Sequence, residues 1–119
     1  MTRIRMTLGL LAASLALVAA APASASGATK LVATVGPGFT ITLTMNGKKV
    51  TALKPGKYTI TVRDRATDHN FRLSGPGVNR DSGVAKTGTT TWTVTLKRGK
   101  YVYVCDPHPS SMKGTFTVR

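Results

Sequence analysis

Beyond residue 26 the chain alternates apolar and polar side chains with period two almost throughout, and no segment there carries a helical stripe. Such alternation puts every second side chain on one face of an extended strand, so one face is buried while the other meets water. Leu31, Ala33 and Val35 share one such face; Phe39, Ile41, Leu43 and Met45 share another, with Thr40, Thr42 and Thr44 opposite. Tyr58, Ile60 and Val62 repeat the pattern, as do Trp92, Val94 and Leu96, then Phe116 and Val118. Trp92, the only tryptophan, is in register with Val94 and Leu96 and is assigned to the core rather than to a binding platform. Asn46-Gly47 supplies the positive φ angles of a tight hairpin, and Lys54-Pro55-Gly56, Gly75-Pro76-Gly77 and Arg98-Gly99 end other runs. Short strands between such turns predict an all-β sandwich or barrel of about seven to eight strands. Residues 79–90, rich in Gly, Asp, Ser and Thr, read as a surface connection between sheets.

Residues 1–25 read as a targeting segment. Arg3 and Arg5 give a positive start, Thr7 to Ala21 is apolar, and Ala23-Ser24-Ala25 fits a small-x-small cleavage site. Cleavage after Ala25 would leave a single domain, residues 26–119, in an extracytoplasmic compartment, periplasmic or secreted to the cell surface. Retained as an anchor, the segment would instead tether the domain to a membrane. No later segment approaches the roughly 20 apolar residues of a transmembrane helix.

The full chain has 17 Lys plus Arg against 4 Asp plus Glu; without Arg3 and Arg5 the domain carries 15 minus 4, or +11. That field favours acidic partners, whether a redox protein with an acidic docking surface, an anionic membrane surface or cell-wall polymers, and raises salt-sensitive association rates. Nucleic acid is not expected, because the basic residues are scattered rather than gathered in a stripe with stacking aromatics. A monomer is expected.

Cys105 is the only cysteine, and an exported protein ordinarily pairs its thiols. A buried free thiol or an intermolecular disulfide is one reading, and metal ligation is the other. The segment Tyr103-Val104-Cys105-Asp106-Pro107-His108-Pro109-Ser110-Ser111-Met112-Lys113-Gly114 decides for the metal, since a thiol, an imidazole and a thioether fall in one loop between two strand-like runs. His69 is the only other histidine. Two imidazoles, a thiolate and a long axial thioether are the set that selects one copper ion in an electron-transfer geometry. Three ligands would then sit on one loop and His69 on the opposite sheet.

Gly99 to His108, with Met112 and the following Gly114 to Val118, resembles the C-terminal signature of the cupredoxins, the plastocyanin, amicyanin and pseudoazurin group of blue copper proteins. Asp68-His69-Asn70 resembles the His-Asn pair that carries that family's upstream ligand. The resemblance implies an eight-stranded Greek-key sandwich with copper at one end and a one-electron carrier function. It also implies that the Asn70 side chain ties the two ligand segments together, and that His108, between Pro107 and Pro109, is the exposed edge through which electrons pass. Asp106 stands where the family usually has Ser or Thr, so its charge would act near the copper. Three residues separate His108 from Met112, one fewer than in plastocyanins and one more than in amicyanins.

An enzyme is not expected. A multicopper oxidase or nitrite reductase needs further histidines, a thiolate-bridged dinuclear centre needs two cysteines, and structural zinc more often uses several. Copper delivery or sequestration uses the same soft donors and stands as the alternative to a carrier. An immunoglobulin-like module without metal is the third reading.

Overall fold

The structure, a computed structural model, describes residues 9–19 and 27–119. Residues 9–19 form neither helix nor strand; Arg3, Arg5 and Ala23-Ser24-Ala25 lie outside the described residues. No helix among the described residues is long and apolar enough to cross a membrane.

The alternating runs become ten strand segments: β1 (Thr29–Val35), β2 (Ile41–Met45), β3 (Lys48–Lys49), β4 (Ala52–Leu53), β5 (Gly56–Asp64), β6 (Arg72–Gly75), β7 (Val78–Asp81), β8 (Gly88–Leu96), β9 (Gly99–Val104) and β10 (Lys113–Val118). They form two five-stranded sheets, ordered β3-β2-β1-β5-β8 and β4-β10-β9-β6-β7, the expected all-β sandwich. The count exceeds seven or eight because β3 and β4 are two-residue pieces where the chain changes sheet. Between them Val50 turns inward, buried, its N–H donating to Leu43 O at 2.9 Å. The β2–β3 hairpin has φ of 51° at Asn46 and 78° at Gly47, the left-handed pair that Asn-Gly supplies without strain.

The two inner faces are the apolar positions of the alternation. Leu31, Ala33, Val35, Leu43, Ile60, Leu73 and Leu96 are buried against Phe71, Tyr101, Tyr103 and Phe116. Each large aliphatic side chain so placed contributes about 1.5–3 kcal/mol. Trp92 is buried with them, as expected. Residues 79–90 are more regular than the sequence implied: Asn79 to Asp81 belong to β7 and Gly88 onward to β8, leaving a connection of 82–87.

Phe39 is the exception to the alternation. Read as sharing the buried face of Ile41 and Leu43, it is instead 64% exposed. Gly36-Pro37-Gly38 breaks the run before it, with φ of 67° at Gly36 and 71° at Gly38, so Phe39 falls outside β2 and its parity is lost.

Strand pairing fixes which connections meet. Val35 faces both Ile41 and Asp64, Asp64 faces Gly88, and Val104 faces both Arg72 and Lys113. The connections 36–40, 65–71, 82–87 and 105–112 therefore gather at one end of the sandwich. Gly27, the hairpins at 46–47 and 76–77, the turns at 54–55 and 97–98, and Arg119 lie at the other.

Candidate metal centre

The segment that leaves β5 is shaped by backbone and carboxylate contacts. Arg65 N donates to Val35 O at 3.0 Å and Ala66 N donates to Asp64 Oδ1 at 3.1 Å, turning the chain inward so that His69, Asn70 and Phe71 are all buried. His69 thereby lies in the connection that leads into β6, which pairs directly with β9. This corrects the expectation that His69 would come from the opposite sheet: the two ligand segments adjoin neighbouring strands, β6 and β9, of one sheet.

The second segment is closed by three backbone hydrogen bonds. His108 N donates to Cys105 O at 3.0 Å, Met112 N to His108 O at 2.9 Å, and Cys105 N to Met112 O at 3.0 Å. Pro107 and Pro109 lack an N–H and fix φ within this turn, so the loop has few conformations left to lose. Cys105 and Met112 are fully buried and His108 is half-buried.

Three donor atoms converge. His69 Nδ1 and His108 Nδ1 are 3.1 Å apart, and Cys105 Sγ is 3.6 Å from each. A point equidistant from all three lies about 2.0 Å from each, the length of metal–nitrogen bonds and slightly short for metal–sulfur. His69, Cys105 and His108 are the only such cluster of metal-ligating side chains among the described residues, and the two imidazoles and thiol suit a single copper ion. The outer nitrogen of His69 faces Asp68 Oδ1 at 3.8 Å, which leaves its Nδ1 turned to the cluster.

Around the cluster lies a polar network. Asn70 is fully buried; its Nδ2 donates to Asp81 Oδ1 at 2.7 Å and Asp106 Oδ2 at 2.8 Å, and its Oδ1 accepts from Asp106 N at 2.7 Å. It therefore does tie the two ligand segments together. Arg72 Nε donates to both oxygens of Asp106, at 3.0 and 2.9 Å, and its Nη2 donates to Asp81 Oδ2 at 3.3 Å. The Asp106 charge is thus met by a guanidinium rather than left bare beside the cluster. Burial opposes ionisation of Asp81, but the Asn70 and Gly83 N–H groups and the Arg72 cation outweigh it and hold the carboxyl below its ordinary value. Asp64 goes the other way: burial raises it, although the Ala66 N–H and His69 pull it down, and its Oδ2 has no hydrogen-bond partner.

Phe39 is the residue that sequence reasoning misplaced. Its ring meets His108 edge-on, centroids 4.9 Å apart at 79°, and lies 5.9 Å from His69. The Gly-Pro-Gly turn before it was the available sign that it leaves the strand. A Cβ at Gly36 would come within 3.3 Å of Ala66 Cβ and 3.4 Å of His69 Cδ2, so this turn also packs against the ligand segment. Arg72 and Asp81 were likewise not singled out; only the scarcity of carboxylates, 4 in the whole chain, pointed to them.

A sequence model of the copper binding proteins of the plastocyanin/azurin family matches residues 34–119. Among solved structures, rusticyanin from Thiobacillus ferrooxidans is 25% identical, with 76% of each chain covered and a TM-score of 0.52. A methionine-to-glutamine variant of rusticyanin is 23% identical over 76% of each chain, TM-score 0.55. A Cu(I) methionine-to-glutamine variant of amicyanin is 19% identical, covering 76% of this chain and 83% of that one, TM-score 0.51. No curated protein sequence matches the chain.

Proposed function

The chain belongs to the plastocyanin/azurin family of copper-binding proteins, and from that premise we propose that it is an exported mononuclear type 1 copper protein carrying single electrons between redox partners outside the cytoplasm. The segment 1–25 is then removed on export and residues 26–119 are the working domain. His69, Cys105 and His108 would hold the copper ion, and the thioether of Met112, buried at the end of the same loop, would be the fourth donor. Copper held there supplies a one-electron couple, in which thiolate and thioether favour Cu(I) and the imidazoles accommodate Cu(II).

The observation that carries this reading is the convergence of three donors at 3.1–3.6 Å in a cage closed by backbone hydrogen bonds. Donors already in place need little movement when the ion changes charge. That favours a carrier over a copper-delivery or sequestration protein, which works by exposed, exchangeable ligands. Both histidines of the chain are in this one cluster, so none is left for a second copper centre of the oxidase kind. Three of the four ligands are buried, and His108 with Phe39 against it forms the edge toward solvent where electrons would pass. The partner is a redox protein with an acidic docking surface, drawn by the domain's positive charge.

Visible absorption and electron paramagnetic resonance of the Cu(II)-loaded protein test the proposal. An intense blue or green thiolate band with narrow copper hyperfine splitting is expected, and Cys105→Ser should abolish both. A weakly coloured ordinary Cu(II) spectrum would move the protein to copper handling; colour surviving in Cys105→Ser would remove the thiolate assignment.

A further inference from the structure

The charges of the domain are not evenly distributed. All four carboxylates stand at the ligand end: Asp64 closes β5, Asp68 follows it, Asp81 closes β7 and Asp106 follows β9. At the opposite end Lys54, Lys57, Lys97, Arg98, Lys100 and Arg119 are all exposed, on or beside the turns that meet there. Lys57 and Asp64 are seven residues apart along β5, roughly 23 Å of extended chain. That is more than two Debye lengths at physiological salt, so the carboxylates do not neutralise the far end.

This end is also rigid and partly apolar. Tyr101 Oη accepts from Lys97 N at 2.9 Å and lies 3.1 Å from Pro76 O, joining the turns at 76–77 and 97–98. Tyr58 Oη donates to Lys54 O at 2.6 Å, and Arg119 N donates to Leu53 O at 3.0 Å. Between these anchors opens a cleft of about 730 Å³ with Met45, Leu53, Pro55 and Tyr58 in its wall and Lys54, Lys57 and Arg119 at its rim. Gly27 lines the same cleft, so the chain enters the domain here, downstream of a segment in which Leu10, Leu11, Leu15, Leu17 and Val18 are exposed.

We propose that this end of the sandwich docks on an anionic lipid surface, turning the His69–Cys105–His108 cluster away from the membrane. A cationic face around an apolar cleft matches headgroup phosphates above acyl chains, and a soluble polyanion has no use for the apolar wall. Each Lys or Arg near such a surface raises affinity about five-fold. The full-length, metal-free protein is sedimented with vesicles of phosphatidylcholine alone and of phosphatidylcholine mixed with phosphatidylglycerol. Binding is expected to be tighter to the anionic vesicles than to phosphatidylcholine alone, and the excess is expected to fall as salt rises. Replacing Lys54, Lys57, Lys97 and Lys100 by Gln is expected to weaken it about 100-fold or more, while the same charge removed at the other end, by Gln at Arg63, Arg65, Arg80 and Lys86, leaves it within about three-fold. Every variant retains residues 9–19, so the difference isolates the basic end. Equal losses in the two variants, or equal binding to both kinds of vesicle, would overturn the proposal. Tighter binding to soluble polyglutamate than to the anionic vesicles would also overturn it, assigning this end to an acidic protein.

Discussion

Asn70 has no exposed surface and both of its side-chain polar atoms meet Asp81 and Asp106. Asn70→Ala would leave the Asp106 N–H without its acceptor and take one donor from each of Asp81 and Asp106, which keep Arg72, and is expected to cost about 2–3 kcal/mol in denaturant unfolding of the metal-free protein. A loss below about 1 kcal/mol would mean that water replaces the amide. Asp64 gives a prediction of opposite sign. Its folded value lies above its unfolded one, so its contribution is present while it is protonated and is lost as pH rises through the raised value. Asp64→Asn keeps an acceptor for Ala66 N and removes the buried charge, so its unfolding midpoint at neutral pH should exceed that of the parent. A lower midpoint would show that the Asp64–His69 attraction dominates. Asp81, with a lowered value, contributes stability above the ordinary aspartate range that is lost as pH falls through it. At this scale the convergence of His69, Cys105 and His108 was legible because few side chains bind soft metals and this chain has so few of them. The guanidinium between Asp81 and Asp106 was not, since ion pairs across 34 residues leave no local pattern.

At the scale of elements, β9 presents Tyr101 and Tyr103 over glycines of its neighbours. Tyr103 lies opposite Gly114 of β10, and a Cβ at Gly114 would overlap its ring; a Cβ at Gly75 of β6 would overlap Tyr101. Tyr101 in turn stacks on Phe116, centroids 5.1 Å apart at 8°, and Tyr103 on Phe71 at 5.4 Å and 16°. Gly114→Ala therefore pushes on the strand that leads into Cys105 and is expected to destabilise by about 2–3 kcal/mol, read from the thermal midpoint. An unchanged midpoint would mean that the ring swings aside freely. The long strands were legible because alternation persists over five or more residues. The pieces β3 and β4 were not, because two residues define no period, and Phe39 was misread because a turn reset the parity.

For the whole molecule, the core of both sheets is built mainly from side chains that bind no metal, from Leu31 and Ile60 to Tyr101 and Phe116, and Cys105 and Met112 pack into it as buried apolar groups. The metal-free protein is therefore expected to keep the native far-ultraviolet circular dichroism and to gain thermal stability on binding copper, in proportion to the logarithm of free metal. Loss of the β signature on metal removal would show that the site holds the sheets together. The charge imbalance was legible as a total but not as a distribution, which depends on which turns share an end. One further consequence concerns β8, nine residues long and last in its sheet, with no described strand bonded to its outer edge. Such an edge is a template on which a second copy can add its own β8, and the exposed Thr91, Thr93 and Thr95 offer no local charge to prevent it. Like-charge repulsion between whole domains would oppose such pairing, so ionic strength is expected to control self-association. Light scattering should stay low in dilute buffer and rise as added salt screens the domains from one another.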